Sequence, residues 1–183
     1  MGIVTKLNRT LRAFIERQHV FFVATAAPGG RVNVSPKGMS TSRILGDAHI
    51  RWLNLSGSGN ETAAHLRASN RMTLMFCAFE GNPMILRVYG QATTSHPRDA
   101  DWEAKVADFP TPAGSRQIFD LRLDLVQTSC GSGVPIMRFV KERGAEELVP
   151  HYERMGLEGV VEYWRRRNAV SIDGMATGIV DND

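Results

Sequence analysis

The stretch FDLRLDLVQT, Phe119 to Thr128, sets leucines at 121, 123 and 125 against Arg122 and Asp124, the period-two pattern of a strand with one buried and one wet face. Such a strand needs partners, and the segments upstream supply them. RMTLMFCAF and MILRVYGQATTS are β-branched and aromatic and flank Glu80-Gly81-Asn82-Pro83, whose turn residues predict a hairpin. A second hairpin is expected where HVFFVATA from His19 meets Ala27-Pro28-Gly29-Gly30 and a strand through Arg31, Val32, Asn33, Val34 and Ser35. HIRWLNL from His49 reads as one more short strand.

Helical periods fill the intervals. Ile3, Leu7, Leu11, Phe14 and Ile15 recur every three or four residues with charges between them, which predicts an opening helix with one apolar stripe. In SGSGNETAAHLRAS, Ser58 followed three residues later by Glu61 has the form of a capping box, and a helix to about Ser69 is expected. His96 to Phe109 and Ala145 to Arg167 also read as helix, the second broken at Gly156. About six strands joined mostly by hairpins predict an antiparallel barrel or sheet in an α+β protein, since a doubly wound parallel sheet would alternate strands with helices throughout. No composition shift divides residues 1–183, so one domain is expected, with its core over about 10–138 and a helical segment over about 144–167.

Composition narrows the function classes. The net charge of +3 is spread along the chain, so nucleic acid is not implied, and Arg165, Arg166 and Arg167 suit the carboxyl end of a helix. Cys77 and Cys130 make no disulfide framework and no zinc spacing, which points to a reducing compartment. Charges interrupt the apolar residues of the amino-terminal stretch, so neither a signal peptide nor a membrane span is read there and a cytoplasmic protein is expected. His19, His49, His65, His96 and His151 are scattered without metal-ligand spacing, and no metal is expected. Trp52, Trp102 and Trp164 read most simply as packing residues.

Two segments carry residues suited to chemistry. GRVNVSPKG, Gly30 to Gly38, ends a strand with a hydroxyl, a proline, a lysine and a glycine. SGSGNET, Ser56 to Thr62, opens a helix, where backbone N–H groups and the dipole form a seat for an anion, with Lys37 as a candidate cation. Each has a plain structural alternative, a surface turn for the first and a helix cap for the second; the Walker lysine is missing from the glycine-rich loop. Cys130, between Ser129 and Gly131, is either a nucleophile on an exposed loop or a small packed thiol, and no histidine is tied to it by sequence.

Taken in order, FVATA, the glycine turn, GRVNVSPKG, the strand before SGSGNETAAHL, RMTLMFCAF, ILRVYGQA and TSCGSGVP resemble the pyridoxamine 5'-phosphate oxidase-related flavoproteins over roughly residues 10–138. The resemblance implies a six-stranded antiparallel split β-barrel with flanking helices, a homodimer, and FMN in a groove between subunits. It implies that Asn33, Val34, Ser35, Pro36 and Lys37 form the strand along the flavin ring, with Asn54 and Leu55 ending the strand beside it. Asn60, Glu61 and Thr62 match the serine, arginine and lysine that grip the FMN phosphate in the oxidases, and Ser58 and Gly59 just before them are counted with that cofactor seat, Gly59 and Asn60 facing the anion. Ser129, Cys130 and Gly131 resemble the loop that reaches the flavin from the partner subunit.

The departures are also informative. Glu61 and Thr62 stand where the oxidases place two cations, and a carboxylate ~4 Å from a phosphate dianion would be repelled by several kcal/mol at an effective dielectric near 20. Glu61 is therefore expected to fold back onto the Ser58 N–H. Cys130 replaces the oxidases' tryptophan, and no late Arg-x-His segment matches their substrate residues. An FMN-dependent oxidoreductase acting on another small molecule is the first expectation, with catalytic residues unassigned. A non-catalytic flavin- or ligand-binding protein and a thiol hydrolase built on Cys130 are the alternatives.

Overall fold

The computed structural model describes residues 2–110 and 112–180. In chain order the elements are β1 (Gly2–Val4), α1 (Arg9–Glu16), β2 (Phe21–Thr25), β3 (Asn33–Lys37), β4 (Ser42–Gly46), β5 (His49–Leu55), α2 (Glu61–Ala68), β6 (Arg71–Cys77), β7 (Ile85–Ser95), α3 (Trp102–Val106), β8 (Ser115–Ser129) and α4 (Leu148–Arg167). All the pairings between strands are antiparallel, in the order β3-β2-β6-β7-β8-β5-β4, with β1 added to the far end of β8. This is the expected α+β class, an antiparallel sheet with flanking helices, built on eight strands where about six were expected.

The two extra strands have separate causes. Asn8 accepts a hydrogen bond from the Leu11 N–H at 2.9 Å and so starts α1 at Arg9, which frees Ile3 and Val4 from the expected helix to pair with Gln127 and Val126. Ser42–Gly46 lacks clear alternation but forms β4 by pairing back onto β5. Helix over residues 96–109 shrinks to the single turn of α3: the Asp99 carboxylate accepts from the His96 N–H at 2.8 Å and holds the preceding stretch as turns.

The sheet is rolled. Four strands separate β3 from β5 along the hydrogen-bonded path, yet Lys37 Nζ of β3 donates to Asn54 Oδ1 of β5 at 3.3 Å. Inside the roll, Trp52 stacks on Phe119 with centroids 4.5 Å apart, Phe21 stacks on Phe76 at 5.6 Å, and Val23, Leu74, Leu86, Val88 and Leu121 are fully buried. Burying a side chain of this size stabilises the fold by roughly 1.5–3 kcal/mol before entropy is counted.

In β8 the alternation read from the sequence changes phase. Leu121 and Leu123 are buried and Arg122 and Asp124 exposed, as expected, but Leu125 is only half-buried and Val126 takes the inward position. Tyr89 pairs with Leu125 while its neighbour Gly90 pairs with Leu123, so Asp124 is the extra residue of a β-bulge. Gly90 is needed there, because a Cβ would overlap the Arg122 carbonyl.

α4 runs over the expected segment and breaks at Gly156, whose φ of 68° suits glycine. Tyr152, Val160 and Trp164 form a small separate core with Ile179 of the segment 168–180 that follows. Among the described residues no helix is long and apolar enough to cross a membrane.

Candidate functional site

Where the roll stays open, between β3 and the end of β5, lies a cavity of about 360 Å³, within the range of small-molecule sites. Along β3 exposure alternates: Asn33, Ser35 and Lys37 are half-buried while Val34 and Pro36 are exposed. Asn33, Ser35, Pro36 and Lys37 line the cavity, together with Asn54, Leu55, the whole Ser56 to Asn60 loop, Glu61 and Thr62. Most residues singled out in the sequence thus converge on one space. Val34 is 60% exposed and outside it. Ser129, Cys130 and Gly131 sit at the end of β8 opposite Arg116 and do not line it either.

The polar side chains of the wall are fixed by one another. Asn33 Nδ2 donates to Thr25 Oγ1 at 3.3 Å and Thr62 Oγ1 at 3.2 Å, which leaves Asn33 Oδ1 as an acceptor; the Thr25 hydroxyl in turn bonds His65 Nδ1 at 3.1 Å. Asn54 accepts from Lys37 and donates to Gln117 Oε1 at 3.2 Å. Lys37 also stands 5.4 Å from the Trp52 ring centroid, so an aromatic face takes part of its charge.

Arg116, at the start of β8, lines the same cavity and was not found in the sequence. It is only 2% exposed; one guanidinium nitrogen donates to Gly59 O at 3.0 Å and Asn168 Oδ1 at 2.7 Å, and its Nε has no partner. Among the described residues neither Arg116 nor Lys37 has a carboxylate within ion-pair distance. Burial draws the Arg116 pKa down to about 10. Burial first, and then the positive charge of Arg116, bring the Lys37 ammonium from 10.5 to about 8. Holding two such cations out of water is unfavourable, and each unit of opposite charge placed ~4 Å away would return about 4 kcal/mol at an effective dielectric of 20. The site is poised for an anion.

The capping box does not form. Asn60 is the N-cap of α2, and both Glu61 carboxylate oxygens accept from the Ile172 N–H at 3.1 Å instead of reaching the Ser58 N–H. The expected consequence stands by another route: the carboxylate is taken up elsewhere, by a backbone donor 111 residues away that no local pattern announces. Asn60 is buried, with its Nδ2 donating to the Asn168 carbonyl at 3.4 Å and its Oδ1 unpartnered.

Cys77 is buried, whereas Cys130 is exposed. Its sulfur lies 2.9 Å from Ser132 Oγ, and the hydrogen bonds of Ser132 hold the thiol below its usual pKa. The thiol's bonded neighbour is therefore a hydroxyl, which is no general base.

The model of the family described as pyridoxamine 5'-phosphate oxidase matches residues 7–130. The chain belongs to the pyridoxamine 5'-phosphate oxidase family. A relative is the pyridoxamine 5'-phosphate oxidase family protein ustO of Aspergillus flavus, 32% identical over 92% of this chain and 74% of its own length. Among solved structures, a putative pyridoxamine 5'-phosphate oxidase from Lactobacillus delbrueckii superposes with a TM-score of 0.53 at 16% identity, covering 68% of this chain and 95% of that one. HupZ of Group A Streptococcus superposes with a TM-score of 0.53 at 15% identity, covering 72% and 99%. At these identities the likenesses show the fold. The family match ends at Cys130, so α4 and the segment 168–180, which supply Trp164, Asn168 and Ile172 around the cavity, lie outside it.

Proposed function

We propose that this member of the pyridoxamine 5'-phosphate oxidase family holds FMN in the split of the barrel and works as a flavin-dependent oxidoreductase on a small molecule. The observation that carries the proposal is the pair of cations, Lys37 and Arg116, facing one cavity with no carboxylate on either among the described residues. FMN suits both ends of that cavity. Arg116 and the backbone of residues 58–62 would hold its phosphate, taking over from the two cations that Glu61 and Thr62 replace. Asn33, Ser35, Lys37 and Asn54 would meet the polar edge of its ring, with Asn33 offering an acceptor and Lys37 a donor.

When bound, the flavin supplies the hydride chemistry. The chain's own part is to orient the ring against β3 and to limit water at the phosphate end, where Asn60 and Arg116 are almost fully buried. Lys37, with its pKa near 8, is the lining group best placed to hold or release a proton at Nζ close to neutral pH.

One observation favours a second reading, a non-catalytic flavin-binding protein: among the described residues no histidine or cysteine lines the cavity, and the one carboxylate that does, Glu61, is engaged by Ile172. We include a homodimer in the proposal, with the loop of Ser129, Cys130 and Gly131 reaching the flavin of the other subunit. The exposed Ile136, Met137 and Val140 just beyond that loop support it.

Titration with FMN tests the proposal: quenching of flavin fluorescence at one equivalent per chain is expected, and a chain that leaves flavin fluorescence unchanged contradicts it. Anaerobic addition of NADH or NADPH then separates the readings. Bleaching of the bound flavin supports the oxidoreductase, and a flavin that stays oxidised favours the binding protein.

A further inference from the structure

Asn168 ties the segment beyond the family match to the anion end of the cavity. It follows the last turn of α4, is fully buried, and uses all its polar groups. Its Oδ1 accepts from Arg116 at 2.7 Å and its Nδ2 donates to Gly57 O at 2.9 Å. Its carbonyl accepts from Thr177 Oγ1 at 2.6 Å and from Asn60 Nδ2, and its N–H closes α4 on Trp164 O at 2.8 Å. Trp164 Nε1 in turn donates to Ser56 Oγ at 2.7 Å. One side chain thus pins the glycine-rich loop and the buried guanidinium together.

The identity of the residue matters because of what it is not. Among the described residues every acceptor that Arg116 has is neutral, the Gly59 carbonyl and the Asn168 amide oxygen. An aspartate there would pair with the guanidinium and cancel the charge. The Gly57 contact fixes which end of the amide faces Arg116, since only the Nδ2 end can donate to a carbonyl. Meanwhile Arg116 Nε is buried without a partner, and the residue itself lines the cavity.

We propose that Asn168 is a positioning residue of the anion seat, which holds the Arg116 guanidinium through a neutral oxygen so that its full charge is left for the phosphate group of the bound ligand. This rests on the FMN reading and extends it, giving the segment beyond residue 130 a part in selecting a phosphorylated ligand.

The test compares FMN with riboflavin, which has the same ring and no phosphate, by fluorescence titration of the full chain and of Asn168→Asp and Asn168→Ala. The preference for FMN over riboflavin falls at least about tenfold in Asn168→Asp and by roughly threefold in Asn168→Ala, while riboflavin affinity stays within about twofold. Asp does worse than Ala although it retains an acceptor for Arg116. A purely structural Asn168 would weaken both ligands alike or neither, and that result, or an Asp variant no worse than Ala, overturns the inference. If Asn168→Asp does not fold, an unchanged preference in Asn168→Ala is enough to overturn it. A wild-type chain that binds FMN no better than riboflavin removes the phosphate seat itself, a failure that is visible before any variant is made.

Discussion

β8 carries charge in two places, at Asp120 beside β5 and at Arg116 across from Lys37 of β3, and the two are built in opposite ways. At one, Asp120 receives His49 at 2.6 Å, Arg51 at 2.9 Å and Lys105 at 3.0 Å, while Asp108 and Asp101 take further contacts from Arg51 and Lys105 at 2.8 Å. At the other, Arg116 and Lys37 have only neutral oxygens among the described residues. Charge that is matched within the chain serves the fold, and charge left unmatched beside a cavity is available to a ligand.

The sharpest way to break this contrast is Asp120→Asn. It removes the carboxylate that Arg51 and Lys105 share and leaves them only the more exposed Asp108 and Asp101, so unfolding by denaturant should show a loss of about 3 kcal/mol, with FMN affinity unchanged. Next comes Arg116→Met, where the signs reverse: FMN binding falls roughly a hundredfold, while stability moves by about 1 kcal/mol or less, because relief of a buried charge offsets two acceptors left without a donor. If Arg116→Met unfolds the chain and Asp120→Asn does not, the contrast is wrong.

Smaller effects should follow pH. The free Lys37 ammonium is lost as pH rises through about 8, and a ring-edge oxygen that accepts from Nζ raises its pKa. FMN affinity therefore declines above pH 8 by up to about tenfold per unit, and Lys37→Met binds more weakly with that decline removed. The Asp120 site runs the other way. Burial alone would raise its pKa, but the hydrogen bonds of Arg51, Lys105 and His49 outweigh this and lower it from 3.8. Its contribution is complete above the unfolded value and lost as pH falls through the lower folded one, so Asp120→Asn should flatten part of the acid limb of a stability curve.

How far each place was legible in the sequence follows from where its partners lie. Strands with alternating side chains, and the break at Gly156, are local properties and could be read directly. β4 could not, since Ser42–Gly46 gains its order from β5, and the phase change at Asp124 depends on β7. Asn33, Ser35, Lys37, Asn54, Asn60 and Thr62 were found because their order along the chain resembles the family's. Arg116 gave no such signal: it sits in SRQIF on the side of β8 shared with Ile118 and Asp120, and only the fold shows that it lacks a carboxylate. Glu61 was read as a cap because Ser-x-x-Glu is locally sufficient, whereas its real donor, Ile172, comes from a segment outside the resemblance.

The most direct test of the unmatched pair is a crystal structure of the chain with FMN. A phosphate oxygen within hydrogen-bonding distance of the Arg116 guanidinium is the result expected. FMN bound with its phosphate in solvent and no contact to Arg116 would contradict the account.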